Sequence, residues 1–352
     1  MISIISIDEE EKWDNIVKSF SDYDVYYLSS YVKGFQLHGD GDPKLIYFQS
    51  TYLKGINVVM LRDIANNNRF TKEIPSNTYF DITTPYGYGG LLIEGEMSDD
   101  AIEDLKREYS DVCNKIGIVS EFVRFHPMLQ NNCNLDNFYD IVNLGSTISM
   151  DLSSKGLIWD NISSKNRNMI RKAQKSGTEV FWGRSPELIE DFKRLYKLTM
   201  DKDNAKDYYY FKDDFYNSIL MDLKYNSMFF YAKYQNKVVS ISLILLTNNK
   251  LHYHLSASDR EYQNMAPTNL LLYEVANWGC ENGFKTLHLG GGLGSQQDNL
   301  YKFKKAFNRN KENQFFIGKK IYNKETYNDL VSIRTMDNDF DKDSLYFPLY
   351  RS

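Results

Sequence analysis

Hydrophobic positions along the chain recur at helical and then at strand spacing, and the alternation runs through twice. In residues 9–20, Trp13, Ile16, Val17 and Phe20 fall on one side of a helix that would pack on a sheet. Residues 26–38 are aromatic and end at Gly39-Asp40-Gly41-Asp42-Pro43, a loop signal before a strand over 44–49. Strand alternation returns at 56–64 and 79–83. The spacing of Ile102, Leu105, Tyr109 and Val112 predicts an amphipathic helix over 99–116, followed by a strand over 119–125. Between 131 and 146 Asn and Asp cluster and the periodicity lapses, which places a domain boundary there and gives domains 1–145 and 146–352.

The plan then repeats. A strand enters at Ile148, and a helix over 161–176 closes at Gly177. Ser185-Pro186 opens another helix with Leu188, Phe192, Leu195 and Thr199 in register. Residues 201–216, rich in Asp, Lys and Tyr, read as a loop that rims a site. Runs 228–233 and 238–246 form a hairpin about Gln235-Asn236, and 251–256 adds a strand. A helix spans 267–281 with Gly283 just past its end. It leads into a strand ending at Leu289, then Gly290, Gly291, Gly292 and Gly294, then a basic helical turn over 300–307. Hairpin, strand, helix, strand in both halves predicts two related α/β modules.

A chain of 352 residues exceeds what one core usually serves, in keeping with two domains. The formal net charge of −5 argues against a general nucleic-acid binder, and no DNA partner is expected, although a local basic face could still meet an anionic substrate. Cys113, Cys133 and Cys280 are few and widely spaced, which fits reduced thiols in a cytoplasm. The N-terminus lacks the basic start and long apolar stretch of a signal peptide, and no apolar run is long enough to span a bilayer. A lipid-linked substrate would therefore be met through peripheral membrane contact.

Candidate chemistry gathers in three places. After the strand ending at Leu289, backbone without β-carbons can bring N–H groups against an oxyanion or phosphate, with Lys302, Lys304 and Lys305 adding charge; the other meaning is a loop for close packing. On the 161–176 helix, Arg167, Arg171, Lys175, Lys172 and Lys165 sweep one face while Ile162, Met169, Ile170 and Ala173 line the other. Such a run is usually a solvated face, yet two arginines four residues apart also form a fork for phosphate. In the first half, Tyr86 and Tyr88 sit between glycines, where rings could stack on a sugar or base or simply close the core edge. Arg124 and His126 stand near a strand's end, and Lys33 could reach an anion or be merely solvated. His252 and His254 share one strand face, but no third ligand at suitable spacing accompanies them, so no metal is expected.

Several of these stretches resemble the Fem-type transferases, a branch of the GNAT acyltransferase superfamily. The glycine run followed by Leu300-Tyr301-Lys302-Phe303-Lys304-Lys305-Ala306-Phe307 is similar to that family's late motif. Arg167 to Lys175 followed by Gly177, Pro267 to Glu274, Thr84 to Gly90 and Glu121 to Pro127 resemble other family segments, in the same order along the chain. The resemblance implies an α/β fold of two tandem GNAT-like domains, each a mixed central sheet flanked by helices. It implies transfer of an aminoacyl or acyl group to an amine of a cell-wall or envelope precursor, as in peptidoglycan assembly, from an aminoacyl-tRNA donor and without a cofactor. It implies Lys304, with Lys302 as its rival, as the group that stabilises developing negative charge. Arg167, Arg171, Tyr86, Tyr88, Arg124, Gly291, Gly292 and Tyr301 become candidate substrate contacts. Where acetyl-CoA enzymes carry a glycine-bearing pyrophosphate loop, this chain reads Gln263-Asn264-Met265-Ala266-Pro267-Thr268, with a proline removing one donor. An acyl-CoA donor is therefore the alternative, and a silent phosphate-binding module a second one.

Overall fold

The computed structural model describes residues 1–67, 69, 70 and 74–352. The first strands and helices are β1 (Ile2–Ser6), α1 (Glu10–Lys18), α2 (Ser29–His38), β2 (Asp42–Gln49), β3 (Leu53–Asp63), β4 (Phe80–Thr83), β5 (Leu92–Gly95), α3 (Asp99–Lys115) and β6 (Ile118–Arg124). They continue as β7 (Asp140–Asp151), α4 (Lys155–Asn161), α5 (Ser164–Lys175), β8 (Glu179–Gly183), α6 (Pro186–Lys202), α7 (Asp213–Met221), β9 (Ser227–Tyr234), β10 (Lys237–Thr247) and β11 (Lys250–Ser258). The last are α8 (Pro267–Glu281), β12 (Thr286–Gly290), α9 (Asn299–Lys305), β13 (Asn313–Ile321) and α10 (Lys324–Arg334). The chain divides into two compact units, Met1–Leu144 with Phe315–Ser352, and Gly145–Gln314.

In the first unit the strands run β1-β2-β3-β4-β6-β13, with β5 on β3; β4 and β6 are parallel and the rest antiparallel. Ser98 caps α3 by accepting the Ala101 N–H, and Ile102, Leu105, Tyr109 and Cys113 bury its apolar stripe with Ile46, Val59 and Ile118. The tail expected in the C-terminal domain groups here instead, because β13 hydrogen-bonds to β6, pairing Ile317 with Arg124 and Ile321 with Ser120. A buried polar knot fastens it. Glu121 accepts from Asn57 Nδ2 at 2.8 Å and from the Tyr322 hydroxyl at 2.5 Å, while burial pushes its carboxyl up.

The second unit runs β7-β12-β11-β10-β9-β8, and β11 and β12 are its parallel pair. Each unit thus holds one parallel pair with a helix between its strands in sequence, α3 in the first and α8 in the second. Gln235 and Asn236 take φ of 48° and 62°, the left-handed pair that a tight two-residue hairpin turn requires, and they set the β9–β10 register. Ser185 caps α6 with Pro186 in its first turn, and Pro267 opens α8, whose Leu270, Leu271, Leu272, Val275 and Ala276 form the core with Ile170, Ala173 and Leu287.

Several expectations shift. The stretch read as a lapse in periodicity already holds the start of β7 at Asp140, since only its later residues are buried. The expected loop over 201–216 contains the start of α7, whose C-terminal carbonyls at Ile219 and Leu220 accept from the Arg184 guanidinium. The helix expected over 161–176 begins at Ser164, because Ser163 caps it and α4 precedes it.

Replacing Tyr322 by Phe leaves one oxygen of the buried Glu121 carboxylate without its donor. We expect a loss of about 1–3 kcal/mol in urea unfolding, with the m-value unchanged.

Candidate functional site

In the second unit, β12 ends at Gly290, whose φ of 77° turns the chain into the glycine loop. A β-carbon on Gly291 would come within 2.9 Å of the Ser146 carbonyl, and one on Gly292 would overlap the Gln296 carbonyl and the Asp298 carboxylate. These glycines therefore serve close packing. Asp298 caps α9, accepting the Tyr301 N–H through Oδ1 at 2.8 Å and the Leu293 N–H through Oδ2 at 3.1 Å. Burial works to raise the Asp298 carboxyl, but those N–H groups and Lys304 outweigh it and leave it below its ordinary value.

At the end of α9, Lys304 is buried, and its Nζ donates to the Gly291 carbonyl at 2.7 Å, 5.9 Å from the centre of the Tyr253 ring. Burial lowers its amine to about 8, with Asp298 pulling the other way. The glycine loop thus meets the lysine with a carbonyl, where sequence reasoning looked to its N–H groups. Lys302 is exposed, and Lys305 pairs with Glu312 at 2.8 Å. Tyr301 is buried, and burial together with Glu312 pushes its hydroxyl up to about 12.

The basic helix joins this turn directly. Ser163, the cap of α5, donates its N–H to the Ala306 carbonyl at 2.9 Å, and Asn166 accepts from Asn269 of α8 at 2.6 Å. Arg167 and Arg171 lie over the Trp159 ring at 5.9 and 5.0 Å; the first donates to the Trp159 carbonyl and the second to Asn168. Among the described residues neither arginine is in an ion pair, nor are Lys165, Lys172 and Lys175, and α5 contains no acid.

Tyr86, Tyr88 and Arg124 belong to the first unit. Tyr86 stacks on Phe35 at 5.5 Å and its carbonyl accepts the Tyr31 hydroxyl at 2.6 Å. Tyr88 stands edge-on to Phe315 at 5.5 Å, and burial raises its hydroxyl. Arg124 donates from Nε to the Gly87 carbonyl at 2.9 Å and lies over the Phe315 ring at 5.0 Å. His126 accepts the Met128 and Leu129 N–H groups on Nδ1, which turns Nε2 to the buried Asp24 at 3.1 Å. Lys33 pairs with Glu10 at 2.5 Å. Of the strand histidines, His252 faces His288 at 5.7 Å, and burial with His252 alongside lowers His254 to about 3.

Sequence reasoning missed Asp298, Trp159 and Tyr253. An Asp three residues before a helical Tyr is a capping signal that would have flagged the first; Trp159 lies on a helix that was not expected.

Residues 164–305 match the acetyltransferase (GNAT) domain family. The matched stretch lies within the second unit. No curated protein sequence matches the chain. The crystal structure of FemX is similar over 93% of this chain and 99% of that one, at 15% identity and a TM-score of 0.65. The C-terminal domain of a protein from Agrobacterium fabrum named as a lysylphosphatidylglycerol synthetase covers 94% of this chain and 97% of its own, at 12% identity and a TM-score of 0.56. A Bacteroides thetaiotaomicron protein of unknown function reaches the same TM-score of 0.56 at 13% identity, over 91% of this chain and 100% of its own. These likenesses establish a shared mixed α/β fold. Among the described residues no helix is long and apolar enough to cross a membrane.

The segment before α8 has an unusual backbone: Ala266 takes φ of 57° directly before Pro267, a left-handed conformation that costs a residue with a β-carbon. Replacing Ala266 by Gly should relieve that strain and raise stability by about 0.5–1 kcal/mol in thermal or urea unfolding. A second prediction concerns the buried amine. Because Lys304 sits at about 8, well below its ordinary value, the unfolded chain binds a proton that the native one does not between pH 8 and the usual lysine range. Native stability relative to a Lys304→Met variant should therefore rise with pH, by about 2 kcal/mol between pH 7.5 and 9.5 in paired urea titrations.

Proposed function

We propose that this chain is an acyltransferase of Fem-like type that passes an aminoacyl or acyl group to an amine of a cell-wall or envelope precursor. The observation that carries the reading is the buried Lys304 amine, held by the glycine-loop carbonyl inside a GNAT domain. The likeness to FemX over nearly the whole of both chains supports the choice of branch.

The acceptor amine attacks the carbonyl carbon of an activated ester. A C–N bond forms, the carbonyl oxygen takes up negative charge, and collapse breaks the C–O bond while the amine gives up a proton. An ammonium fixed beside that oxygen is worth more in a dry site than in water. Near neutral pH Lys304 is still largely protonated yet close to balance, so it can donate to the oxyanion and then to the departing oxygen. Exposed Lys302 is the rival for that role. Arg167 and Arg171, which lie over the Trp159 ring and have no acidic partner among the described residues, suit phosphate groups of donor or acceptor. Gly291 contributes its carbonyl, Gly292 the space that Asp298 fills, and Tyr301 the packing of α9. The setting is the cytoplasm, with peripheral membrane contact if the acceptor is lipid-linked.

A second reading uses acyl-CoA, in keeping with the acetyltransferase family that the domain matches; the proline and strained Ala266 before α8 speak against it. The name borne by the Agrobacterium relative directs attention to lipid acceptors as well.

Incubation with charged tRNA or with acyl-CoA, each with a cell-wall nucleotide precursor or with phosphatidylglycerol vesicles, separates these donors and acceptors by product mass. We expect product from charged tRNA and the nucleotide precursor. Lys304→Met should lose about 2–4 kcal/mol of transition-state stabilisation, about thirtyfold to a thousandfold in kcat/KM, while Lys302→Met changes it little. Full activity in a folded Lys304→Met protein would remove the assignment.

A further inference from the structure

Asp298 stands at the junction of the glycine loop and α9, and its carboxylate has two uses at once. Oδ1 receives the N–H of Tyr301 in the first turn of α9, while Oδ2 receives the N–H of Leu293 in the loop. One rigid group therefore ties the segment that supplies the Gly291 carbonyl to the helix that supplies the Lys304 amine. Gly292 gives an independent sign that the tie is built in, because a β-carbon there would run into this same carboxylate. The two arms meet at the 2.7 Å bond between Lys304 Nζ and the Gly291 oxygen. Other charged groups nearby are committed elsewhere: Lys305 pairs with Glu312, Glu312 also faces Tyr301, and Lys302 points to solvent. Tyr253 offers Lys304 a ring face.

We propose that Asp298 is a positioning residue for Lys304, holding the glycine loop at the distance where its carbonyl grips the amine and supplying that amine with negative charge. This rests on the reading of Lys304 as the group that stabilises charge in the transfer. Asp298 acts through the loop and through its field, which opposes the lowering that burial imposes on the lysine.

The test follows the amine itself. In protein labelled with 13C at the lysine Cε, the Lys304 resonance, assigned by its loss in Lys304→Arg, should titrate at about 8 in the native chain. In Asp298→Asn, which removes the charge and one of the two acceptors, it should titrate at lower pH, and the alkaline limb of transfer should move the same way. The rate at the optimum should fall on the order of tenfold to a hundredfold as the loop loosens. Asp298→Ser, which keeps a capping oxygen without the charge, serves if the first variant does not fold and should show the same direction. A Lys304 titration unchanged in both variants, with an unchanged pH profile, overturns the proposal. Should the native chain transfer nothing from either donor, the Fem-like reading falls, while the NMR titration still decides whether Asp298 governs Lys304.

Discussion

An ammonium taken out of water costs several kcal/mol unless polar groups meet it, and in this chain a single backbone oxygen does most of the meeting. The bond from Lys304 to the Gly291 carbonyl sets the requirements for its surroundings. The loop must come in without side chains, so Gly291 and Gly292 are closely packed. The helix that carries the lysine is short, so its start needs a firm cap, which Asp298 provides. Its far end is held by the cap of α5 through the Ala306 carbonyl, which draws the arginine-bearing helix to the same turn. Groups distant in sequence are thus gathered by main-chain bonds more than by pairs of charges.

Much of the secondary structure could be read from the sequence wherever local physics decides it. The helix opened by Pro267 and the hairpin turn at Gln235-Asn236 are specified by a proline that needs no N–H partner and by residues that tolerate left-handed backbone. The α3 stripe was legible because its apolar spacing survives without reference to its neighbours. Elements that owe their form to distant partners were not. Strand β8 is largely exposed and is held by β9, α7 is fastened at its end by Arg184, and β13 finds its place only by pairing with β6. No periodicity in the tail says which unit it will join.

The site divides along the same line. A glycine run followed by lysines marked the segment that holds the buried Lys304, but sequence could not say which atoms of the glycines would face it. Carbonyl or N–H is a matter of φ and ψ, and Gly290 turns the chain so that the Gly291 oxygen faces the lysine. Nor could it separate Lys302 from Lys304, two residues apart on a short helix, until burial distinguished them. The tyrosines of the first unit were read as either recognition or packing. Tyr88 is clasped between aromatic rings, and the Tyr86 carbonyl is engaged with Tyr31.

The order of the chain bears on how such a molecule is made. The first unit is interrupted: the polypeptide leaves it at Leu144 and re-enters at Phe315, with the entire second unit in between. A ribosome releases residues from the N-terminus onward, so β6 emerges long before β13, its hydrogen-bonding neighbour in that unit. Until the inserted domain has been synthesised, that strand offers a bare row of N–H and C=O groups, the kind of edge that invites mispairing. The domain bearing the buried lysine can thus complete itself during translation, whereas the one bearing Tyr86 and Arg124 waits until residues 315–352 have been made.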